Sequence, residues 1–156
     1  FQDPIDILLV EDSDPDALLV THAFGKARLL NRLHRVADGL AALEFLRQQG
    51  DYISAPRPHL ILLDLHLPKR TGREVLEDVK KDMDLRSIPV VVFTASRSEE
   101  DIADVYALHA NCCIHKPVSP EGFSLVIQAL EDFWFSVVTL PPAEENIHGE
   151  RKKMKW

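Results

Sequence analysis

The chain has 156 residues, enough for one domain around a single core, and its 46% hydrophobic and 28% charged residues are those of an ordinary globular protein. No apolar run approaches the ~20 residues of a membrane span, and a formal net charge of −7 argues against nucleic acid as a partner. The two cysteines, Cys112 and Cys113, are neighbours that a strand would point to opposite faces, so there is neither a disulfide framework nor zinc spacing, and a reducing cytoplasm fits.

In chain order, Ile5-Asp6-Ile7-Leu8-Leu9-Val10 reads as a strand that delivers Glu11 and Asp12 at its carboxyl end. Ser13-Asp14-Pro15 supplies a cap and a proline suited to a first helical turn, opening a helix to about Ala27 with Leu18, Leu19, His22 and Ala23 as its inner stripe. Leu33 and Val36 alternate with polar neighbours, as in a short edge strand. Asp38-Gly39 opens a second helix, whose Leu43, Phe45 and Leu46 can face a core and which runs out at Gly50.

The third strand, Leu60 to Leu63, is continuously apolar, as expected when helices cover both faces of a sheet, and it delivers Asp64. Pro68 and Gly72 bracket a loop, and Arg73 to Lys81 reads as a third helix with Val75, Leu76 and Val79 inward. Val90 to Phe93 is a fourth strand ending at Thr94, and Ser98 to about His109 a fourth helix carrying Ile102, Val105, Tyr106 and Leu108. Cys113 to His115 is a fifth strand ending at Lys116-Pro117, and the last helix starts near Ser119-Pro120-Glu121 and runs past Trp134. This (βα)5 repetition with short connections implies a doubly wound parallel sheet over residues 1–138. The remaining residues, 139–156, read as a C-terminal extension without an output domain, and Arg151-Lys152-Lys153-Met154-Lys155 as its solvated basic end.

In such a sheet the carboxyl ends of the strands line one edge, where ligands bind. Glu11, Asp12, Asp64, Thr94 and Lys116 would therefore meet in one pocket although they are scattered over a hundred positions. Mg²⁺ prefers oxygen ligands and usually takes one or two carboxylates, which Asp12 and Asp64 can supply with Glu11 close by. Crowded carboxylates repel one another, and a divalent cation removes that penalty. An aspartate can also act as the nucleophile of phosphoryl transfer, with Lys116 and the Thr94 hydroxyl meeting phosphoryl oxygens and small Ala95 leaving the group reachable. A lone Asp after a strand is ordinarily a cap or turn former, and a lone Lys-Pro a surface turn; the joint arrangement is what carries the specificity.

Val10-Glu11-Asp12, Leu63-Asp64-Leu65-His66-Leu67-Pro68 with Gly72, Thr94-Ala95 and Lys116-Pro117 resemble the receiver domain of two-component response regulators, over residues 5 to 138. The resemblance implies a flavodoxin-like fold with strand order 2-1-3-4-5 and phosphoryl transfer from a sensor histidine kinase to Asp64. It implies Mg²⁺ held by Glu11, Asp12, Asp64 and the backbone carbonyl of His66, with Thr94 and Lys116 reading out phosphorylation. Asp38-Gly39-Leu40-Ala41-Ala42-Leu43, Pro58-His59-Leu60-Ile61-Leu62-Leu63, Gly72-Arg73-Glu74-Val75-Leu76, Leu108-His109-Ala110-Asn111-Cys112 and the late Phe133-Trp134 to Val138-Thr139-Leu140-Pro141 look like the stand-alone regulators that serve bacterial phytochrome kinases. That resemblance implies a phytochrome-type kinase partner. It also implies a homodimer through the face of the fourth helix, fifth strand and fifth helix together with the C-terminal extension. Leu125, Phe135 and Val138 fit this dimer, because Phe123, Val126, Ile127, Leu130 and Trp134 already complete an inward stripe.

Two features depart from the receiver pattern. Receivers usually carry Tyr or Phe three positions before the lysine, and this chain has Cys113 there, so coupling to the face of the fourth helix, fifth strand and fifth helix is expected to be weak or carried by another group, with Tyr106 on the fourth helix the nearest aromatic candidate in sequence. His66 stands two positions after Asp64, where only the backbone carbonyl is expected to meet the metal, and His66, His109 and His115 match no metal-binding spacing. Among rivals, a phosphotransferase or phosphatase with an Asp nucleophile usually places a second Asp where His66 stands, and a pseudo-receiver acting as an interaction module would not need the complete Glu11, Asp12, Asp64, Thr94 and Lys116 set.

Overall fold

Apolar runs and capped helical segments alternate as β1 (Ile5–Val10), α1 (Asp14–Gly25), β2 (Asn31–Val36), α2 (Gly39–Arg47), β3 (Leu60–Leu63), α3 (Gly72–Lys81), β4 (Val90–Thr94), α4 (Glu99–Ala107), β5 (Cys112–His115) and α5 (Pro120–Leu130). The structure is a computed structural model and describes residues 4–28, 30–135, 139–141, 144–147 and 150–153. The five strands are parallel in the order β2-β1-β3-β4-β5, the flavodoxin-like arrangement expected. Parallel neighbours need long crossovers, and each is supplied by a helix.

The helix starts follow from side-chain caps that satisfy otherwise orphaned N–H groups. Ser13, Asp38, Thr71, Ser98 and Ser119 each accept a backbone N–H in the first turn of the helix they precede, and Thr71 forms a reciprocal capping box with Glu74. Alternation along the strands divides the core in two. Ile7, Leu9, Leu62, Val91 and Phe93 pack under α1 and α5, and Leu8, Val10, Ile61, Leu63 and Val92 pack under α2, α3 and α4. Every residue of β3 is buried, which explains its unbroken apolar run.

Two helices differ from the sequence reading. On α1 the buried residues are Ala17, Val20, Ala23 and Phe24, while Leu18 is 70% exposed and His22 faces solvent. Apolar residues occur nearly all round this helix, so their spacing does not set its phase; contact with β1 and α5 does. The last helix does not run past Trp134 as a regular α-helix: α5 ends at Leu130 and the chain continues as one wider π-type turn, Glu131–Phe135. Beyond it, Pro141 lines a small cleft with Pro58, Ile88 and Pro89 at the amino-terminal edge of the sheet, away from the acidic strand ends. Within the C-terminal extension, β6 (Glu144–Ile147) and β7 (Glu150–Lys153) pair antiparallel. The side chain of Phe135, Val138, and the side chains of the basic stretch from Arg151 to Lys155 lie outside the described residues.

Candidate functional site

Strand register brings the reactive side chains together. Val10 is paired with Val36 and Leu63, so Glu11 and Asp64 leave the sheet side by side; the Glu11 N–H donates to the Val36 carbonyl and the Asp64 N–H to the Val10 carbonyl. Leu63 is paired with Val92 and Thr94 with His115, which places Thr94 and Lys116 at the same edge. The Lys116 N–H donates to the Thr94 carbonyl at 2.7 Å.

Carboxylate oxygens of Glu11, Asp12 and Asp64 lie within 4.8 Å of one another, with Glu11 and Asp64 buried and Asp12 exposed at the mouth. Lys116 is buried among them, and its Nζ stands 2.5 Å from Glu11 Oε1, 2.9 Å from Asp16 Oδ2 and 3.0 Å from Asp64 Oδ2. The three hydrogens of the ammonium are thereby matched to three acids. Burial works against the Lys116 charge, but the bonds to Glu11 and Asp16 and the charge of Asp64 outweigh it and hold the group above the ordinary lysine range. Burial pushes the Glu11 carboxyl up, the Lys116 bond draws it down, and the neighbouring Asp64 pushes it up again, leaving it at about 7. The pocket holds more negative charge than its single lysine neutralises.

The loop carrying Asp64 is held by two close backbone approaches. A Cβ at Gly72 would meet the Asp64 carbonyl oxygen at 2.1 Å, and one at Gly39 the Arg70 carbonyl oxygen at 2.0 Å. Only glycine lets α3 and α2 start that near the loop. Thr94 is fully buried and its Oγ1 accepts the Ser96 N–H at 3.1 Å, while Ala95 is exposed above it. The His66 side chain is exposed, and its N–H points to Asp64 Oδ1 at 3.4 Å.

All five residues singled out from the sequence, Glu11, Asp12, Asp64, Thr94 and Lys116, thus stand at one edge. Asp16 was not among them. It sits in the first turn of α1, and the placement of that helix over the pocket brings its Oδ2 within 2.9 Å of Lys116 Nζ, a contact that no local spacing announces. Tyr106, which the sequence left unplaced, puts its hydroxyl beside Cys113 and accepts the Cys113 N–H at 3.1 Å. Among the described residues, Glu11, Asp12 and Asp64 form the grouping of three side chains able to hold a metal ion.

A parallel sheet in this order, with an acid-lined edge and a buried lysine, defines a phosphoryl-accepting signalling domain, and the chain belongs to the response regulator receiver domain family, whose pattern matches residues 7–131. Members of this family take up a phosphoryl group from a histidine kinase in two-component signalling. The chain is 48% identical over 137 residues to the response regulator Rcp1 of Synechocystis sp. (strain ATCC 27184 / PCC 6803 / Kazusa), covering 88% of this chain and 93% of Rcp1. The crystal structure of the Mn²⁺-bound form of Rcp1 superposes with a TM-score of 0.85 at 47% identity, over 89% of this chain and 100% of that one. That of the phosphorylated cyanobacterial phytochrome response regulator RcpA superposes with a TM-score of 0.87 at 43% identity, over 90% and 100%. Among the described residues, no helix is long and apolar enough to cross a membrane.

Proposed function

We propose that this chain is a cytoplasmic response regulator whose receiver domain, residues 1–138, accepts a phosphoryl group on Asp64 from a phytochrome-type histidine kinase. The observation that carries the assignment is the buried Lys116 ammonium bonded to Asp64 and Glu11 inside a carboxylate cluster it cannot neutralise alone. An all-oxygen donor set suits a hard cation, so Glu11, Asp12, Asp64 and the His66 backbone carbonyl are the groups that would hold Mg²⁺. When bound, Mg²⁺ supplies the positive charge that offsets the carboxylates and the charge spread over the transferred phosphoryl oxygens.

An Asp64 carboxylate oxygen attacks the phosphorus of the kinase phosphohistidine. The O–P bond forms as the P–N bond breaks, and the imidazole nitrogen keeps the electron pair. Lys116 Nζ, already 3.0 Å from Asp64 Oδ2, turns its hydrogens from Glu11 and Asp16 toward a phosphoryl oxygen. The Thr94 hydroxyl keeps one hydrogen to donate to another, since its oxygen already accepts from Ser96. Exposed Ala95 leaves the product open to water, so the same pocket allows loss of the group.

The kinase class rests on the likeness to Rcp1 and RcpA. The homodimer is proposed through α4, β5 and α5 with the C-terminal extension. It is supported by a mainly apolar groove of about 530 Å³ between β5 and α5, lined by Cys112, Ile114, Val126, Leu130, Phe133 and Trp134, with Leu125 68% and Phe133 54% exposed nearby. Phosphotransfer profiling against a panel of purified histidine kinases tests the reading. Rapid transfer from phytochrome-type kinases to the parent chain and none to Asp64→Asn is expected; full labelling of Asp64→Asn would overturn the assignment. Light scattering at high micromolar concentration should give a dimer, and a monomer there would refute the dimer alone.

A further inference from the structure

Ser96 stands two residues past the carboxyl end of β4, and each of its polar groups is engaged. Its N–H donates to Thr94 Oγ1 at 3.1 Å, its Oγ donates to Asp101 Oδ2 at 2.6 Å, and its carbonyl lies 3.0 Å from His115 Nδ1. A carbonyl only accepts, so this nitrogen of His115 carries the hydrogen. Asp101, in the first turn of α4, also pairs with Arg73 of α3, which holds Asp104 at 3.1 Å as well. One serine thereby joins the pocket hydroxyl, β5 and two helices.

Alternation along β5 places Cys113 with the core under α2, α3 and α4, and Cys112 and Ile114 with the core under α1 and α5. His115 shares the Cys113 face by the two-residue period of a strand. It is the cross-strand partner of Thr94, two residues nearer the pocket than the small Cys113 thiol. The Tyr106 hydroxyl, by contrast, accepts the Cys113 backbone N–H.

We propose that Ser96 and His115 are the positioning residues through which the state of Asp64 reaches α4, in place of a bulky side chain at position 113. The proposal rests on the reading of Asp64 as phosphoacceptor. A phosphoryl oxygen on Asp64 draws the Thr94 hydroxyl, and Ser96 follows because its N–H is bonded to that hydroxyl. Its carbonyl then leaves His115 and its Oγ leaves Asp101, which loosens the tie between α4 and Arg73. The His115 bond therefore belongs to the resting arrangement and opposes the switch. A ligand shifts an equilibrium only by its differential interaction with the two arrangements, and one neutral hydrogen bond present in one of them is a factor of about five, or about 1 kcal/mol at 1.4 kcal/mol per tenfold.

The test is a titration of the full chain with beryllofluoride in Mg²⁺, followed through the amide NMR signals of α4. His115→Phe keeps a ring but no donor; it should bind beryllofluoride about fivefold tighter, with the Asp101 and Tyr106 amides displaced toward their bound positions before any is added. His115→Asn, whose amide nitrogen takes the place of Nδ1, should restore the parent values. Ser96→Ala, at a half-exposed position that tolerates truncation, removes the Oγ bond to Asp101 together with the longer one that Oγ accepts from the Ser98 N–H at 3.3 Å, leaves the His115 bond in place, and should displace the same amides in the same direction. Parent-like affinity and shifts in both His115→Phe and Ser96→Ala would overturn this inference alone. A parent chain that does not bind beryllofluoride would overturn the phosphoacceptor reading, and this inference with it.

Discussion

Asp6 and Glu11 lie on or at the end of the same strand, 4% and 1% exposed, yet their surroundings are opposite. Burial pushes Asp6 up, but Arg32 grips it with two bonds of 2.9 and 3.1 Å and His34 with one of 2.9 Å, and together they hold the carboxyl below its ordinary range. His34 is itself steadied by the Phe45 ring, 5.5 Å away. The acid is answered by its neighbours and pins the edge strand β2 to β1. At Glu11 burial also dominates, but one lysine is shared with Asp64 and Asp16, and the carboxyl ends up raised to about 7. A buried acid alone does not mark a site. An unanswered surplus of one charge, gathered from separate strands, does.

The comparison can be broken most directly by removing the one cation. Lys116→Met should lower metal-free stability by about 3 kcal/mol, because it leaves Glu11 and Asp64 buried without a partner. Mg²⁺ should recover much of that loss by binding the folded state alone. Urea denaturation equal to the parent in metal-free buffer would show that the cluster does not depend on Lys116.

The two acids should respond with opposite signs to loss of charge. Asp6→Asn should cost about 2 kcal/mol, since Arg32 and His34 lose their charged acceptor, and should leave the rate of phosphoryl uptake at the parent value. Glu11→Gln should raise metal-free stability at pH 8 by about 1 kcal/mol while weakening Mg²⁺ binding. The same sign in both would erase the distinction between an answered and an unanswered acid.

The same contrast sets the dependence on pH. Glu11 is raised from 4.5 to about 7, so the folded chain keeps a proton that the unfolded chain releases. That contribution to stability is complete below pH 4.5 and is lost as pH rises through about 7. Asp6, lowered from 3.8, runs the other way: its contribution is present above that value and is lost on acidification. Mg²⁺ competes with the Glu11 proton, so calorimetric titration should show affinity rising about tenfold from pH 6 to pH 8. A flat profile would place Glu11 outside the metal-binding set.

Much of this was legible in the chain because it depends on local chemistry. Serine and aspartate starts announced α1, α2, α4 and α5, while the Thr71 cap of α3 went unread; unbroken apolar runs announced the buried strands, and strand ends pointed to Glu11, Asp12, Asp64, Thr94 and Lys116. The phase of α1 was not legible, because apolar residues on nearly every side leave the choice to tertiary contacts. Asp16 escaped because its role comes from where α1 rises over the pocket, a matter of packing rather than spacing. The Ser96 links to Thr94, Asp101 and His115 cross three elements, and no single stretch of sequence contains them.

The central claim, that the unanswered acids form a metal-dependent phosphoacceptor site at Asp64, is met most directly by mapping the phosphoryl group itself. The full chain is incubated with phosphoramidate, with Mg²⁺ or with chelator, and its peptides are examined by mass spectrometry. One phosphoryl group on the peptide containing Asp64, formed only with Mg²⁺ and absent from Asp64→Asn, is the expected result. Label on another residue, or equal label in chelator, would contradict it.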